Sequence, residues 1–550
     1  PAWPAAPKAT ALIFADKHGI CQGIVGAFPD GRVGTKKIVE NMEELSQADI
    51  EDLFGPKGWD MIIFGVGMDA PASQSVADVI DQNTVLTKCF LNLCKAINRK
   101  GDRATKKLAV LTRGNFEEDP KVHKKFGLAM TTAGTLFGMC NTGRQELEDV
   151  DIQYIDTEYA PEKIEELYPK LASEIARIGS FGHSSVLINK SGRYVHRQVS
   201  SKPYEKAQKP WVMPTSGTIA ILGGNGALGL VMGEWILEHA KKEKAASGGA
   251  YSPKFTIHFL SRSTKIGDLN VATWTKIQQK AEELGVKVEQ AAMDMSSQDS
   301  VNKYFAENCG RLIGIIHAAG ILQDSMLPNQ TWEKFEAVYS GKHWAALYVH
   351  EALEKFGSPM LKFFWMFSST SVYGNMGQIN YSSSNSYMDA LARHRHALGK
   401  PACAIQWGAW GEVGMAASMD DNLRRRVMMG PMPYFTVKQG LSGMEGGLAT
   451  GLPGFHVQIV NPMVYYGMIQ GDSGATHMRH MRNFSSEWMP TPPPQSFDED
   501  NTYNIYRMYR YLGAPYTDLE PTYWSTFIKP RVQVAGGEED EAIVLGNGLC

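Results

Sequence analysis

Leu222-Gly-Gly-Asn-Gly-Ala-Leu-Gly229 decides how this chain folds. The apolar run Thr218–Leu222 enters it as a strand, and Ala227–Ala240 leaves it with the spacing of a helix. Between them, Gly224-x-Gly226-x-x-Gly229 repeats a pattern whose missing Cβ atoms let backbone approach a pyrophosphate while helix N–H groups point at it. Such a pattern alone also arises in ordinary turns. Its seat between a strand and a helix ties it to a dinucleotide. The window Thr218–Leu237 is apolar enough to be weighed as a membrane span, but Asn225, Glu234 and five glycines break it. It reads as strand, turn and helix, and no membrane span is expected.

The alternation continues on both sides. Downstream, strands are expected at Lys254–Leu260, Val286–Ala291, Leu312–His317, Lys362–Ser368 and Ala402–Gln406. Upstream they are expected at 9–15, Asp60–Val66, Lys107–Thr112 and Val150–Ile155, with helices at Asp78–Ile97 and Pro161–Ile178. Strands alternating with helices imply parallel sheets covered on both faces. After the first strand, Gly19 and Gly23 lack the fingerprint's spacing, so the first half reads as a dinucleotide-type fold without a dinucleotide site. The polar stretch 198–216 reads as a crossover. Beyond residue 470, Pro490–Pro494 favours extended backbone, Tyr503–Tyr511 spaces aromatics like a helix, and Gly536–Asp540 is glycine and acid. The divisions expected are 1–212 without a cofactor site, 213–470 with one, and 471–550 as a linker or docking segment.

A chain of 550 residues accommodates about three domains of roughly 100–200 residues each. Apolar residues at 43% bury a core, and a net charge of −3 gives no reason to propose nucleic acid or an anionic membrane as partner. The seven cysteines are odd in number and form no C-x-x-C pair, which argues against a disulfide framework and a zinc ribbon; no metal is expected. A reducing compartment follows, cytoplasmic or an organelle lumen such as the plastid, and not secretion. The opening Pro-Ala-Trp-Pro, without an initiator Met, reads as processed or as a piece of a longer polypeptide.

The chemistry-bearing residues follow the strands. The second strand of the later half ends Leu260-Ser261-Arg262-Ser263. An acid there would suit a ribose hydroxyl; Arg262 suits a 2′-phosphate and so favours NADPH over NADH. Asp294, with Met295 beside it, follows the third strand, where an acid caps a turn or accepts from an adenine amine. Ala318-Ala319-Gly320 after His317 leaves room for a cofactor ring. The contacts expected of the cofactor thus run through Gly223, Gly224, Asn225, Gly226, Ala227, Leu228 and Gly229, then Ser261, Arg262 and Ser263, Asp294 and Met295, and Ala318–Gly320. Ser368 and Tyr381 stand thirteen residues apart. A phenol near pKa 10 is a poor acid unless a cation stabilises its anion, and Lys342, on an expected helix Lys342–Leu353, is within reach. Ser369 is an alternative to Ser368.

Together these residues resemble the ketoreductase domain of polyketide synthases, with fatty acid synthase ketoreductase as a close relative, within the short-chain dehydrogenase/reductase superfamily. The resemblance covers residues 8 to 468 and rests on Leu111-Thr-Arg-Gly114, Gly134–Gly138, Arg193–Arg197, the fingerprint, Leu260-Ser-Arg262, His317–Gly320, Gly377-Gln378-Ile-Asn-Tyr381 and Gln406-Trp-Gly-Ala-Trp410 followed by Gly414-Met415. It implies an α/β fold of two Rossmann-like parallel-sheet subdomains, a truncated structural one and an NADPH-binding catalytic one, with a C-terminal extension. It implies Tyr381 as proton donor, Ser368 as carbonyl hydrogen-bond donor, and Lys342 and Asn385 completing a tetrad. Ordinary short-chain reductases carry the lysine four after the tyrosine, where Asn385 stands here. The resemblance also implies Asp324, Gln378, Trp410 and Met415 as substrate contacts, and an acyl carrier protein with its phosphopantetheine-tethered β-ketoacyl chain and other synthase domains as partners. Leu322-Gln323-Asp324 keeps the final acid of a motif that accompanies the B-type, D (3R) alcohol, and Tyr373 stands where the A-type has Trp. As structure alone, Asp324 is equally a loop cap. Methionines in Met415–Thr436 suit a lid over a greasy chain or core filler, and Arg424-Arg-Arg426 suits a carrier or a solvated helix face. The competing functions are an inactive scaffold ketoreductase and a free-standing ketone reductase.

Overall fold

The computed structural model describes residues 8–28, 33–159, 164–179, 184–200, 211–414, 421–461, 464 and 543–549. They form two compact units: one from the residues up to His196 with Met213–Ala404, the other from Arg197–Val212 with Ile405–Gly548.

The first unit holds two α/β halves. In the earlier half the strands are β1 (Ala9–Phe14), β2 (Val33–Val39), β3 (Met61–Phe64), β4 (Lys107–Arg113), β5 (Asp151–Thr157), β6 (Ser185–Ile188) and β7 (Arg193–Ser200), in the order β2-β1-β3-β4-β5-β6-β7. All neighbours are parallel except β6 and β7. Successive residues of β1 face opposite ways. Ala11 and Ile13 join a core with Ile24, Ile63 and Ile175, while Leu12 and Phe14 join another with Phe64, Phe90 and Tyr154. The expected strands are all present, each within a few residues of its reading. Edge strand β2 was not anticipated: Lys36 and Lys37 face solvent, so it has no apolar run, and edge charges of this kind discourage pairing with other chains.

The order of this half reverses between β1 and β3, where an open parallel sheet would take a ligand. The position is filled from within. Asp16, just after β1, accepts N–H bonds from His18 (3.0 Å), Ile20 (3.0 Å) and Cys21 (2.8 Å) at the start of the helix Ile20–Gly26. A Cβ on Gly65, just after β3, would stand 2.1 Å from Cys21 Sγ. A carboxylate of the chain takes the place of an anion.

The later half contains β8 (Ser216–Leu222), β9 (Lys254–Ser261), β10 (Lys287–Ala292), β11 (Leu312–His317) and β12 (Phe363–Ser369), all parallel in the order β10-β9-β8-β11-β12. The fold is thus the pair of Rossmann-like α/β subdomains expected. One local reading changes: the helix after the glycine loop, expected over Ala227–Ala240, runs on through Ala246, because nothing before Gly248 and Gly249 stops it.

The halves meet on small residues. The helix Gly134–Glu146 lies against Ile379–Ala397, and a Cβ on Gly138 would stand 2.2 Å from Ser382 O and one on Gly134 2.9 Å from Ala390 Cβ. The core of the earlier half continues into Leu327, Phe335, Tyr339, Val372 and Ile379 of the later one.

In the second unit Trp410 is buried between Trp407 (ring centroids 4.7 Å) and Phe435 (5.0 Å). Thr436 and Gln439 cap the helix Val437–Leu448 reciprocally, and Gly454–Gln458 pairs antiparallel with Ile543–Leu549. Met415, Pro490–Pro494, Tyr503–Tyr511 and Gly536–Asp540 lie outside the described residues.

Candidate active site

The strand order of the later half reverses between β8 and β11, and a cleft of about 460 Å³ opens there. Gly223, Asn225 and Gly226 line it from the glycine loop, Ser261, Arg262 and Ser263 from the end of β9, Asp294 and Met295 from the end of β10, and Ala318, Ala319 and Gly320 from the end of β11. Gly224, Ala227, Leu228 and Gly229 do not line it. Gly224 and Gly229 shape the loop from behind, since a Cβ on either would stand 2.7 Å from Phe259 Cα or 2.5 Å from Gly223 O. Gly223 has φ +77°, and a Cβ there would lie 2.8 Å from Ala319 N. Gly226 would meet only Gly223 O, at 3.2 Å, so its cleft side is open.

Asn225 staples the loops together. Its N–H donates to Ser261 Oγ (3.0 Å), and its Nδ2 donates to Ser263 O (2.7 Å) and Lys265 O (3.3 Å). Arg262 and Lys265 are exposed on the rim, the latter missed from sequence. Glycines that admit backbone, an uncapped helix start and two cations fit a dinucleotide carrying an additional phosphate. Asp294 faces the cleft and also caps its turn, its Oδ1 accepting from Ser296 N (3.0 Å) and Oγ (2.7 Å).

Beside the cleft the structure gathers the four residues the sequence singled out. Tyr381 is the third residue of the helix Ile379–Ala397, and Asn385 lies one turn on, donating to Tyr381 O at 2.8 Å. Ser368, next to last in β12, is buried, its hydroxyl donating to Asn385 O at 3.4 Å. Ser369 accepts from Ser371 N (3.1 Å) as the cap of the turn Thr370–Tyr373. Lys342 is not on a helix, as read, but precedes the helix His343–Phe356 with φ −123° and ψ −94°. From there its stem runs inward. Nζ donates to Phe367 O (2.9 Å), sits 5.0 Å from the centroid of the Tyr381 ring, and would lie 3.3 Å from a Cβ on Gly320.

The electrostatics follow from burial. Desolvation pushes the Tyr381 phenol up to about 12, a hydrogen bond with the Asn385 side chain pulls it back, and the Asp324 charge pushes it further up. Desolvation brings Lys342 down to about 7, against the opposing charge of Asp389. His317, whose Nε2 pairs with Lys342 O at 2.8 Å, is pushed by burial to about 4 and stays neutral at pH 7. It holds the backbone of Lys342, a positioning role for which sequence offered only its place before Ala318.

Asp324 and Gln378 meet across two loops, Gln378 Nε2 donating to Asp324 Oδ2 at 2.9 Å. Trp410 sits in the aromatic cluster of the second unit, and Met415 lies outside the described residues. Among the described residues no helix is long and apolar enough to cross a membrane.

Residues 217–412 match the KR domain family. The chain is 30% identical over 283 residues to polyketide synthase GfsA of Streptomyces halstedii, covering 51% of this chain and 4% of that protein. It is 32% identical over 238 residues to mellein synthase of Phaeosphaeria nodorum, covering 41% and 13%. The chain thus matches a small fraction of the length of these relatives. An A-type ketoreductase from a modular polyketide synthase superposes with a TM-score of 0.68 at 21% identity, over 88% of this chain and 96% of that one, which is a likeness of fold.

Proposed function

We propose that the chain reduces a carrier-tethered β-ketoacyl thioester to the β-hydroxyacyl thioester during polyketide assembly, a reading supported by the match of residues 217–412 to the KR domain family and by the likeness of fold to a polyketide synthase ketoreductase. The observation that carries this reading is the Lys342 ammonium 5.0 Å from the Tyr381 ring at the edge of the glycine-loop cleft.

NADPH, when bound, supplies the hydride. The glycine loop, Asn225 and the Ala318–Gly320 turn would hold it, with Arg262 and Lys265 on its 2′-phosphate. Ser368 donates a hydrogen bond to the ketone oxygen and orients the carbonyl. Tyr381 gives its proton to the oxygen as negative charge develops there. A phenol held near 12 by burial does so only when its own anion is stabilised, which Lys342 does through charge and Asn385 through hydrogen bonding. Asp324 and Gln378 frame the acyl chain, and with Tyr373 in place of Trp the expected alcohol is 3R.

The test is NADPH oxidation with a β-ketoacyl-N-acetylcysteamine thioester, comparing the chain with Tyr381→Phe and resolving product configuration. Turnover lost in the variant, with a 3R product, is expected. A 3S product overturns the stereochemical reading alone. NADPH binding without turnover on free or carrier-bound substrate overturns the reductase reading.

A further inference from the structure

The helix Gly134–Glu146 belongs to the half without a cofactor site, yet one face of it lies along the loop that leads into the Tyr381 helix. Asn141 Nδ2 donates to Val372 O at 2.8 Å. A Cβ on Gly374, which has φ +105°, would stand 2.6 Å from both Asn141 O and Gln145 Nε2. At the end of this face is Glu146, half-buried, with each oxygen on a different loop. Oε2 accepts from Leu327 N at 2.6 Å, and Oε1 accepts from Gly377 N at 2.9 Å.

These two loops carry Asp324 and Gln378. They are also joined directly, Ser325 N donating to Gly377 O at 2.8 Å. Gln330 Nε2 closes the junction by donating to Ser325 O at 2.7 Å. A carboxylate has two acceptor oxygens and so bridges two donors at once, adding a fixed span beside these bonds. Without it, two half-buried N–H groups lose their acceptor, and the loops are left to the Ser325–Gly377 backbone bond and the side-chain bonds of Gln330, Gln378 and Asn380.

We propose that Glu146 is a positioning residue that sets which face of the substrate ketone is presented for reduction, by pinning the Asp324 loop to the Gln378 loop. This rests on the reductase reading above. On it, the half without a cofactor is part of the stereochemical apparatus, not only a support. The cofactor cleft is lined by the start of the Asp324 loop, Ala318–Ile321, whereas Glu146 holds that loop at its far end, at Leu327, and is not among the residues lining the cleft.

The test uses Glu146→Gln, which keeps the volume but only one acceptor, and Glu146→Asp, which keeps the charge and shortens the reach. Gly143→Ala is the control, because its Cβ would press on Ile152 Cδ1 at 3.1 Å, strained but away from both loops. Product enantiomers, the KM for NADPH and amide exchange of the peptides holding Leu327 and Gly377 are measured for each. Glu146→Gln is expected to raise the minor enantiomer's share about tenfold and to speed exchange in both loops, with the NADPH KM unchanged. Glu146→Asp is expected to recover part of the selectivity, and Gly143→Ala to change neither ratio nor loop exchange. A selective wild type whose enantiomer ratio is unmoved by Glu146→Gln overturns the assignment and leaves the reductase reading intact. Equal loss of selectivity in Gly143→Ala also overturns it, showing general loosening. A wild-type chain that makes no alcohol overturns the reductase reading and this assignment with it.

Discussion

Lys342→Met keeps most of the side chain's volume in its buried slot and removes the charge. If that charge stabilises a phenolate on Tyr381, the loss follows from the geometry. The ammonium stands 5.0 Å from the ring centroid. Two unit charges about 5 Å apart interact by about 3 kcal/mol at an effective dielectric of about 20. Spent on the transition state, that is about 200-fold in rate. The charge is also conditional, because burial holds Lys342 at about 7. The ammonium is present below that pH and lost above it, so the reduction rate should fall as pH rises through about 7. A guanidinium stays charged throughout, so Lys342→Arg should move this limb upward even if its shape lowers the plateau. The assay is stopped-flow NADPH absorbance under single-turnover conditions from pH 6 to about 9, a span that brackets the lysine's transition. A Lys342→Met rate within about tenfold of wild type, or a limb near 7 that persists in that variant, refutes the reasoning.

Arg262→Ala and Lys265→Ala should each raise the KM for NADPH about tenfold while leaving that for NADH nearly unchanged, because a charge-assisted contact to the extra phosphate is lost; steady-state kinetics with both cofactors check this. Gly138→Ala should lower unfolding stability by about 1–3 kcal/mol in urea, since its Cβ would stand 2.2 Å from the fixed backbone oxygen of Ser382. Asp156, buried and accepting from Thr112 Oγ1 and the N–H groups of Asn115 and Phe116, is raised by desolvation from 3.8 to about 6. A raised carboxyl contributes stability that is full below the unfolded value and lost as pH rises through the folded one. Wild type should therefore lose about 2 kcal/mol between pH 4 and 7 relative to Asp156→Asn, measured by urea unfolding at each pH; parallel pH profiles would refute the shift.

Much of the architecture was readable because buried parallel strands are short apolar runs, such as Ala11–Phe14 and Leu312–His317, set apart by helices. The glycine loop was readable because backbone contact with a phosphate leaves a residue-type signature at fixed spacing. What escaped had no local signature. Strand β2 is lysine-rich and exposed. The position of Lys342 ahead of its helix depends on the unusual backbone angles at that one residue. Lys265 is a basic residue in an exposed loop, marked only by the fold of Asn225 onto its carbonyl. Glu146 is one more acid at a helix end until the chain brings Leu327 and Gly377 to it across 181 and 231 residues. Sequence also offered two serines, and only the fold shows that Ser368 is buried against Asn385 O while Ser369 caps a turn.

The carboxylate of Asp16 is a ligand that cannot dissociate. A tethered group stays at its post however dilute the solution around it, so the half built on β1 holds its form with no nucleotide present. The half with the open glycine loop is different: any molecule that binds only its folded form adds RT ln(1 + [L]/Kd) to its stability. The chain thus couples a half that a bound molecule would stabilise with one that carries its own anion, through a core the two share. Whether that cleft is full or empty, Asp16 stays on the N–H groups of its own turn, in the half whose helix Gly134–Glu146 lies against the Tyr381 helix.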